Sequence, residues 1–261
     1  MVSGSDLAAG GRLAVSTLTV VRVPTGRVDR AAARIAMLGA PVVGLALGAV
    51  GAAVGYTAHL LWHSDGLAAL SVVVALALMT GLLHLDGLAD TADGIGAPSG
   101  RDRLAIMKNS GVGAFAVVTV VFVVAAQLLA LIRAFDVHLG TVAVLTAATT
   151  ARVTLPVGCL RGLPAARSDG LGAAVAGSVP RVAAAVSVVA TTAVLCVITA
   201  IHDGSWHNTG RVVWSVAAGL VAGIGCDLLA VRRLGGITGD VLGAGVEVST
   251  AVTLLAMCIR A

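Results

Sequence analysis

Apolar runs about as long as a bilayer is thick recur along the whole chain. A hydrocarbon core of about 30 Å requires about 20 apolar residues per helix. Only 11% of the residues are charged and 58% are hydrophobic, a composition far outside that of soluble domains. Seven runs satisfy the length requirement, and the predicted spans are 35–56, 66–85, 112–132, 139–160, 181–201, 211–231 and 241–259.

The runs predict an all-α, polytopic integral membrane protein with about seven transmembrane helices. No long polar segment divides them, so residues 1–261 are expected to form a single integral domain. The segment Leu7–Pro24 precedes the first span, but it is short and Arg12 and Arg22 interrupt it. We expect it to form either an N-terminal interfacial segment or a loosely ordered tail. We expect the protein to contact membrane lipid and to have no nucleic-acid partner. A homo-oligomer is possible, and the sequence does not decide whether one forms.

The distribution of basic residues predicts the orientation of the chain. All Lys and Arg residues except Arg133, Arg211 and Arg260 fall on the side of the membrane that holds the N-terminus. Cytoplasmic loops carry an excess of Lys and Arg, so that side is predicted to be cytoplasmic. The polar connections after the second, fourth and sixth spans then open on the cytoplasmic face.

Three carboxylates end the second apolar run, in the stretch His84–Gly94. If this stretch is helical, Asp86, Asp90 and Asp93 stand at i, i+4 and i+7 and project from one face. Like charges so placed repel one another unless a cation lies between them. The pattern predicts a metal-binding face; the alternative is an interhelical loop that happens to be acidic.

Basic residues follow the acidic stretch. A turn that contains Gly94, Gly96 and Gly100 leads to Arg101, Arg103 and Lys108. Cationic side chains are suited to phosphate oxygens, and carboxylates are suited to divalent metals. The order of the two groups indicates a diphosphate handled through Mg²⁺. The alternative is a basic loop that only follows the rule for cytoplasmic loops.

A second cluster consists of Arg152, which lies inside the fourth span near its cytoplasmic end, and of Arg161 and Arg167 in the connection that follows it. A charge at that depth costs a few kcal/mol unless it is paired or close to the interface. We therefore expect a partner or an anionic substrate near Arg152, with extension of the side chain to the headgroups as the alternative.

A third cluster surrounds the glycine-rich turn before the last span. Asp240 follows this turn and is a candidate metal ligand, while Glu247 lies seven residues further on the same helical face. Glu247 is either functional or a partner of Arg152. Asp227, in the sixth span, is expected to pair with Arg232 or Arg233.

With these clusters in view, the chain resembles the adenosylcobinamide-GDP ribazoletransferase family, also called the cobalamin synthase family. It departs from the family pattern at Asn109, where an acidic residue is common, and at Gly111, where a larger residue is frequent. The segments that carry the resemblance are Leu85–Gly94, Arg103–Gly113, Gly170–Gly172, Gly235–Val241 with Gly243 and Glu247, and Thr19–Pro24.

The resemblance implies a Mg²⁺-dependent, phosphotransferase-type enzyme of the inner (cytoplasmic) cell membrane, with its active site on the cytoplasmic face. Such an enzyme joins adenosylcobinamide-GDP to α-ribazole, or to its 5′-phosphate, and releases GMP in the last steps of cobalamin biosynthesis.

The same resemblance implies roles for individual residues. Asp86, Asp90 and Asp240 are expected to bind the metal, and Asp93 is expected to be either a further ligand or the catalytic base. Lys108 is a candidate catalytic residue that contacts the diphosphate. The candidates for substrate binding are Arg103, Arg152, Arg233 and Gly239.

Two other functions fit parts of the pattern. A transporter would use its intramembrane charges to line a pathway, but here the charged clusters gather at one face rather than at the midplane. A CDP-alcohol phosphotransferase also carries an acidic motif, but the spacing of that motif is not reproduced in this chain.

Overall fold

A computed structural model describes residues 3–98, 102–108, 111–204 and 206–259. Within these residues the regular elements are helices, and the only strand-like features are two isolated bridges, Leu160 with Val179 and Ala165 with Ile237. The helices are α1 (Gly4–Leu18), α2 (Arg30–Trp62), α3 (Asp65–Met79), α4 (Leu83–Gly96), α5 (Arg103–Met107), α6 (Ala114–Asp136), α7 (Gly140–Gly158), α8 (Gly170–Val175), α9 (Arg181–Asp203), α10 (Thr209–Leu234) and α11 (Gly239–Met257).

The prediction of an all-α, polytopic membrane protein is confirmed. Six described helices, α2, α6, α7, α9, α10 and α11, are long and apolar enough to cross a bilayer, and α3 with α4 makes up to a seventh crossing. α7 and α11 are mostly buried and form the centre of the bundle, whereas α6 and α9 turn most of their apolar surface outward. An outward apolar surface suits contact with lipid.

The second predicted span, 66–85, is wrong as a single helix. The chain breaks after Met79, and α4 runs at 86° to α3. At the break the Leu82 amide donates to the Ala77 carbonyl and the Gly81 amide donates to the Leu78 carbonyl, with Gly81 at φ 60°. This is a Schellman motif, which ends helices at a glycine in the left-handed region. The break turns the acidic stretch across the end of the bundle.

The N-terminal segment is a helix, so the alternative of a loosely ordered tail is wrong. Ser3 and Asp6 form a capping box at the start of α1. Leu13, Ala14 and Leu18 are buried against α2, with which α1 makes extensive contact. After α1 the amide of Val20 donates to the Met79 carbonyl. The N-terminal segment is thereby attached to the point where α3 ends.

Candidate active site

The acidic stretch is helical, as predicted. Asp86, Asp90 and Asp93 all lie on α4. Asp86 is exposed, while Asp90 and Asp93 are partly buried. Three acids therefore lie on one short helix at the end of the bundle. They provide charged groups for a site, which the apolar spans lack.

A close helix crossing brings a fourth carboxylate to this site. α4 packs against the first turns of α11, and a Cβ atom added to Gly87 would lie 2.7 Å from the Asp240 carbonyl oxygen and 3.0 Å from its Cα. Both contacts are with backbone, which cannot move aside without separating the helices. A side chain at position 87 is therefore excluded, and glycine allows Asp240 to lie beside the acids of α4.

The charges of these carboxylates act on one another. Burial opposes the ionisation of Asp90 most, the charges of Asp86, Asp240 and Asp93 add to this effect, and Arg167 partly offsets it. Within the described parts of the chain, no three His, Cys, Asp or Glu side chains are arranged so that they could hold a metal ion. The oxygen donors nevertheless suit Mg²⁺, which proteins often bind through one or two carboxylates while water and substrate phosphates complete the coordination.

Asp93 differs from its neighbours because both of its carboxylate oxygens are engaged. Oδ2 accepts the Gly113 amide at 2.7 Å, and Oδ1 accepts the Ala116 amide at 2.9 Å. The two donors lie at the start of α6, where the first amides of a helix have no partner within it. Asp93 therefore caps α6 from a neighbouring helix. Its assignment as metal ligand or catalytic base stays a prediction.

The predicted phosphate-binding cations have different surroundings. Arg103 donates from Nε and Nη2 to the Ala97 carbonyl at 3.4 and 3.2 Å, and from Nη1 to the Arg233 carbonyl at 3.1 Å. Its guanidinium thus joins the end of α4 to the end of α10. Lys108 is exposed, with Nζ 3.5 Å from Oδ2 of Asp169.

The side chain of Arg233 is exposed at the end of α10. Arg101 and Asn109 lie outside the described residues. The roles proposed for Arg103, Lys108 and Arg233 in binding the diphosphate or in catalysis stay predictions.

Arg167, a member of the second cluster to which the sequence assigned no role, belongs to the site. Its Nη1 lies 3.7 Å from Oδ2 of Asp240, and its Nη2 donates to the Leu104 carbonyl at 3.0 Å. Only 18% of the side chain is exposed, and Nε has no hydrogen-bond partner in the described structure. A single guanidinium therefore faces the acids of α4 and α11 and holds α5 beside them.

Two backbone hydrogen bonds place the loop that carries Arg167. The Ala166 amide donates to the Ile237 carbonyl at 3.0 Å, and the Ile237 amide donates to the Pro164 carbonyl at 2.9 Å. The contact joins segments about seventy residues apart, which no local sequence pattern reveals. The only available signal is the position of Arg167 just before a Ser-Asp-Gly turn.

Arg152 lies inside the bundle, where its residue is 4% exposed. Nη1 donates to the Ala148 carbonyl at 3.4 Å, and Nε has no hydrogen-bond partner. Glu247 interacts with Arg152 electrostatically but accepts its hydrogen bond from Nε2 of Gln127, at 2.7 Å. The substrate-binding role of Arg152 stays a prediction.

The expected pairing of Asp227 with Arg232 or Arg233 is wrong. Asp227 is 5% exposed and its Oδ1 has no hydrogen-bond partner, whereas both arginines are exposed beyond it on α10. The side chain turns inward toward α7, and a Cβ added to Gly158 would lie 2.7 Å from Oδ2 of Asp227. Helical rotation accounts for the difference, because five or six residues along α10 do not bring the side chains onto one face.

A cavity of about 250 Å³ opens beside the acids. Asp240 and Arg167 border it together with Gly239, the first residue of α11, and His84 lies in its wall. Asp240 and Arg167 thus border a cavity that a small organic molecule could enter, and both interact electrostatically with Asp90. This arrangement can bind an anionic group through Arg167 and a divalent cation through the carboxylates.

Comparison with known proteins gives a consistent picture. A family model described as cobalamin-5-phosphate synthase matches residues 10–258. A protein named adenosylcobinamide-GDP ribazoletransferase from Frankia casuarinae is 42% identical, over 94% of this chain and 93% of its own. Proteins of the same name from a Nocardioides species and Bradyrhizobium diazoefficiens are 39% and 36% identical, over 95% and 94% of this chain and 98% and 91% of their own. No solved structure matches the chain.

Proposed function

The chain belongs to the cobalamin-5-phosphate synthase family, and on this premise we propose that it is an adenosylcobinamide-GDP ribazoletransferase of the inner membrane. It joins adenosylcobinamide-GDP to α-ribazole or α-ribazole 5′-phosphate, giving adenosylcobalamin or its 5′-phosphate and GMP. The observation that carries the proposal is the crossing of α4 and α11 at Gly87, which gathers Asp86, Asp90 and Asp240 beside Arg167.

The reaction forms one phosphorus–oxygen bond and breaks another. The ribose 3′-hydroxyl oxygen of α-ribazole attacks the phosphorus nearer the cobinamide, its proton passes to a base, and GMP leaves. Negative charge grows on the leaving phosphate as the bond breaks, so groups that neutralise it lower the barrier. Bound Mg²⁺ would supply this neutralisation and orient the phosphate oxygens.

The protein's own groups have separate tasks in this reaction. Asp86, Asp90 and Asp240 are the carboxylates that would hold Mg²⁺, with one or two of them binding it directly and water and substrate phosphates completing its coordination. Arg167 would bind a diphosphate oxygen, since its unpaired Nε and its position beside Asp240 suit a bridging anion. Burial and the charges of Asp86 and Asp240 oppose the ionisation of Asp90, so a bound proton or cation is stabilised there.

Orientation follows from the distribution of basic residues. The start of α4, the end of α7 and the start of α11 border the cavity, and the predicted orientation puts them on the side that carries most of the Lys and Arg residues. Cytoplasmic loops favour these residues, so the site would open on the cytoplasm, where water-soluble nucleotides are available. A cysteine-accessibility label at an introduced Asp169→Cys should react in inverted vesicles and not in intact spheroplasts.

The decisive experiment is GMP release by the detergent-purified protein. Release should require adenosylcobinamide-GDP, α-ribazole and Mg²⁺ together, and the corrinoid product should contain the ribazole. Parallel reactions with α-ribazole 5′-phosphate identify the preferred acceptor. CMP release from a CDP-alcohol and an acceptor alcohol, or substrate uptake into vesicles without GMP release, would instead support the phosphotransferase or the transporter alternative.

A further inference from the structure

The cavity beside Asp240 has a polar edge and an apolar floor. Arg167, Asp169, Thr238 and Asp240 supply the polar lining that we call the edge, and Thr17 and His84 are further polar residues of the lining. Five helices and the turn before α11 contribute the floor, which consists of aliphatic and thioether side chains. These are Leu18, Met37, Leu155, Leu171, Ile237 and Leu242. A ligand that fills the cavity must therefore be apolar at one end and polar at the other.

The volume limits what can enter. Pockets that enclose drug-sized ligands measure about 300–1,000 Å³, so a cavity of about 250 Å³ fits a bicyclic fragment and excludes a corrinoid. Guanine is also bicyclic, but its edge carries several hydrogen-bonding groups, and burying these against Leu, Ile and Met leaves them unpaired at high cost. The base of α-ribazole is a dimethylbenzimidazole. It carries one unsubstituted ring nitrogen and two methyl groups, so it suits the apolar floor.

His84 offers a partner for that ring nitrogen. Its side chain lies in the cavity wall, the residue is 3% exposed, and Nδ1 has no hydrogen-bond partner in the described structure. Buried polar atoms are normally paired, so the unpaired Nδ1 of His84 in the wall of the cavity points to a ligand. A neutral imidazole carries one N–H donor, which matches an acceptor nitrogen on the ligand.

Resting on the proposed function, we propose that this cavity is the acceptor site and holds the dimethylbenzimidazole of α-ribazole. The base lies on the floor beside His84, and the ribose lies at the edge formed by Thr238 and Asp240. This orientation directs the ribose hydroxyls toward Asp90 and Arg167, where the diphosphate of the other substrate binds. The floor therefore selects the base, and the acids of α4 and α11 act on the ribose and the phosphates.

Ala173 provides a way to fill the cavity from α8. It lines the cavity and is only partly buried, so a larger side chain there can project into the space without displacing the core. Ala173→Leu should raise the KM for α-ribazole about tenfold or more, in line with the effect of a methylene or two in a closed apolar pocket. The KM for adenosylcobinamide-GDP should change less than twofold.

Two further variants separate shape from hydrogen bonding. Leu171→Ala enlarges the floor and should reduce the preference for the dimethylbenzimidazole riboside over the unmethylated benzimidazole riboside. His84→Phe keeps a ring but removes the donor, and should raise the KM for α-ribazole only. The matched control is Ala190→Leu, the same substitution in an exposed apolar groove between α2 and α9, which should leave both KM values unchanged.

Equilibrium binding makes the test independent of turnover. Calorimetric titration of α-ribazole alone into the purified protein should show binding. Ala173→Leu should weaken the affinity for α-ribazole about tenfold, whereas Ala190→Leu should leave it unchanged. Unchanged α-ribazole binding in Ala173→Leu, or a selective rise in the KM for adenosylcobinamide-GDP, overturns the acceptor site even if the enzyme is active. Absence of GMP release by the wild-type protein, with α-ribazole binding intact and sensitive to Ala173→Leu, overturns the proposed function and leaves the acceptor site supported.

Discussion

Carboxylates occur in two regions of this protein, and their surroundings are opposite. At the end of the bundle Asp86, Asp90 and Asp240 are close to one another, at least partly exposed, and beside a cavity and Arg167. Inside the bundle Asp227 and Glu247 lie apart, Asp227 next to glycines and Glu247 next to Gln127 and the guanidinium of Arg152. Acids that crowd together raise the energy of the empty site and gain most from a bound cation, whereas buried acids that lie apart are stabilised only by the individual groups packed against them.

The largest effect is expected at Asp90, which lies nearest the centre of the crowded region. Asp90→Asn keeps the size of the side chain but removes the charge, so it should weaken Mg²⁺ dependence and lower kcat by about 10²–10³-fold, the typical loss when one electrostatic contact to the transition state is removed. Thermal unfolding in detergent should change little.

Asp136→Asn provides the matched control for Asp90→Asn. Asp136 pairs with Arg133 at the end of α6, away from the site, and more than half of its side chain is exposed. Its activity should equal that of the wild type, because an exposed ion pair contributes little. Equal activity in Asp90→Asn and Asp136→Asn would remove Asp90 from the site.

Gly87→Ala tests whether the crossing of α4 and α11 creates the crowded region. The added methyl would meet the Asp240 backbone at 2.7 Å, so the helices must separate. Overpacking of this kind costs about 1–3 kcal/mol in stability, and a shift of about 1 Å in Asp240 can cost about 10²-fold in rate. Gly225→Ala, on α10 with nothing within 4 Å of the added atom, should leave both activity and stability unchanged.

Arg167→Lys probes the cation that faces the acids. Lysine keeps the charge but cannot contact Asp240, Leu104 and a phosphate oxygen in one plane. We expect the KM for adenosylcobinamide-GDP to rise about tenfold, a loss of about 1.4 kcal/mol, while the affinity for α-ribazole alone stays the same. A drop in kcat without a change in that KM would show that Arg167 serves the chemical step instead of binding the diphosphate.

The sequence predicted many of the residues that form the site, but not the separate role of each. Periodicity placed Asp86, Asp90 and Asp93 on one helix, since a spacing of three or four residues is a local property. The bend at Gly81 is also encoded by a local feature, a glycine that ends a helix. It was not predicted because the apolar residues continue through it. The roles of Arg167 and Asp93 depend on partners 63 and 20 or more positions away in the chain, which spacing alone cannot identify.

Asp93 stands between the two regions, because it lies in the acidic helix but makes structural hydrogen bonds. Asp93→Ala removes both acceptors at the start of α6 and should cost about 0.5–2 kcal/mol, the usual contribution of an N-cap. Asp93→Asn keeps one acceptor oxygen and should lose less stability. If Asp93 is only a cap, the activity of Asp93→Asn should stay within about fivefold of the wild type. A loss as large as that in Asp90→Asn would establish it as ligand or base.

The smallest effect is expected at Asp227, deep in the second region. Asp227→Asn removes a carboxylate that is 5% exposed and has an unpaired Oδ1, and an amide costs less to bury than an unpaired charge. The unfolding temperature in detergent should therefore be equal to or slightly above that of the wild type, and the KM values and kcat should be unchanged. Asp227 does not line the cavity, so a tenfold loss of activity in this variant would mean that the interior acids share in catalysis and that the two regions form one site.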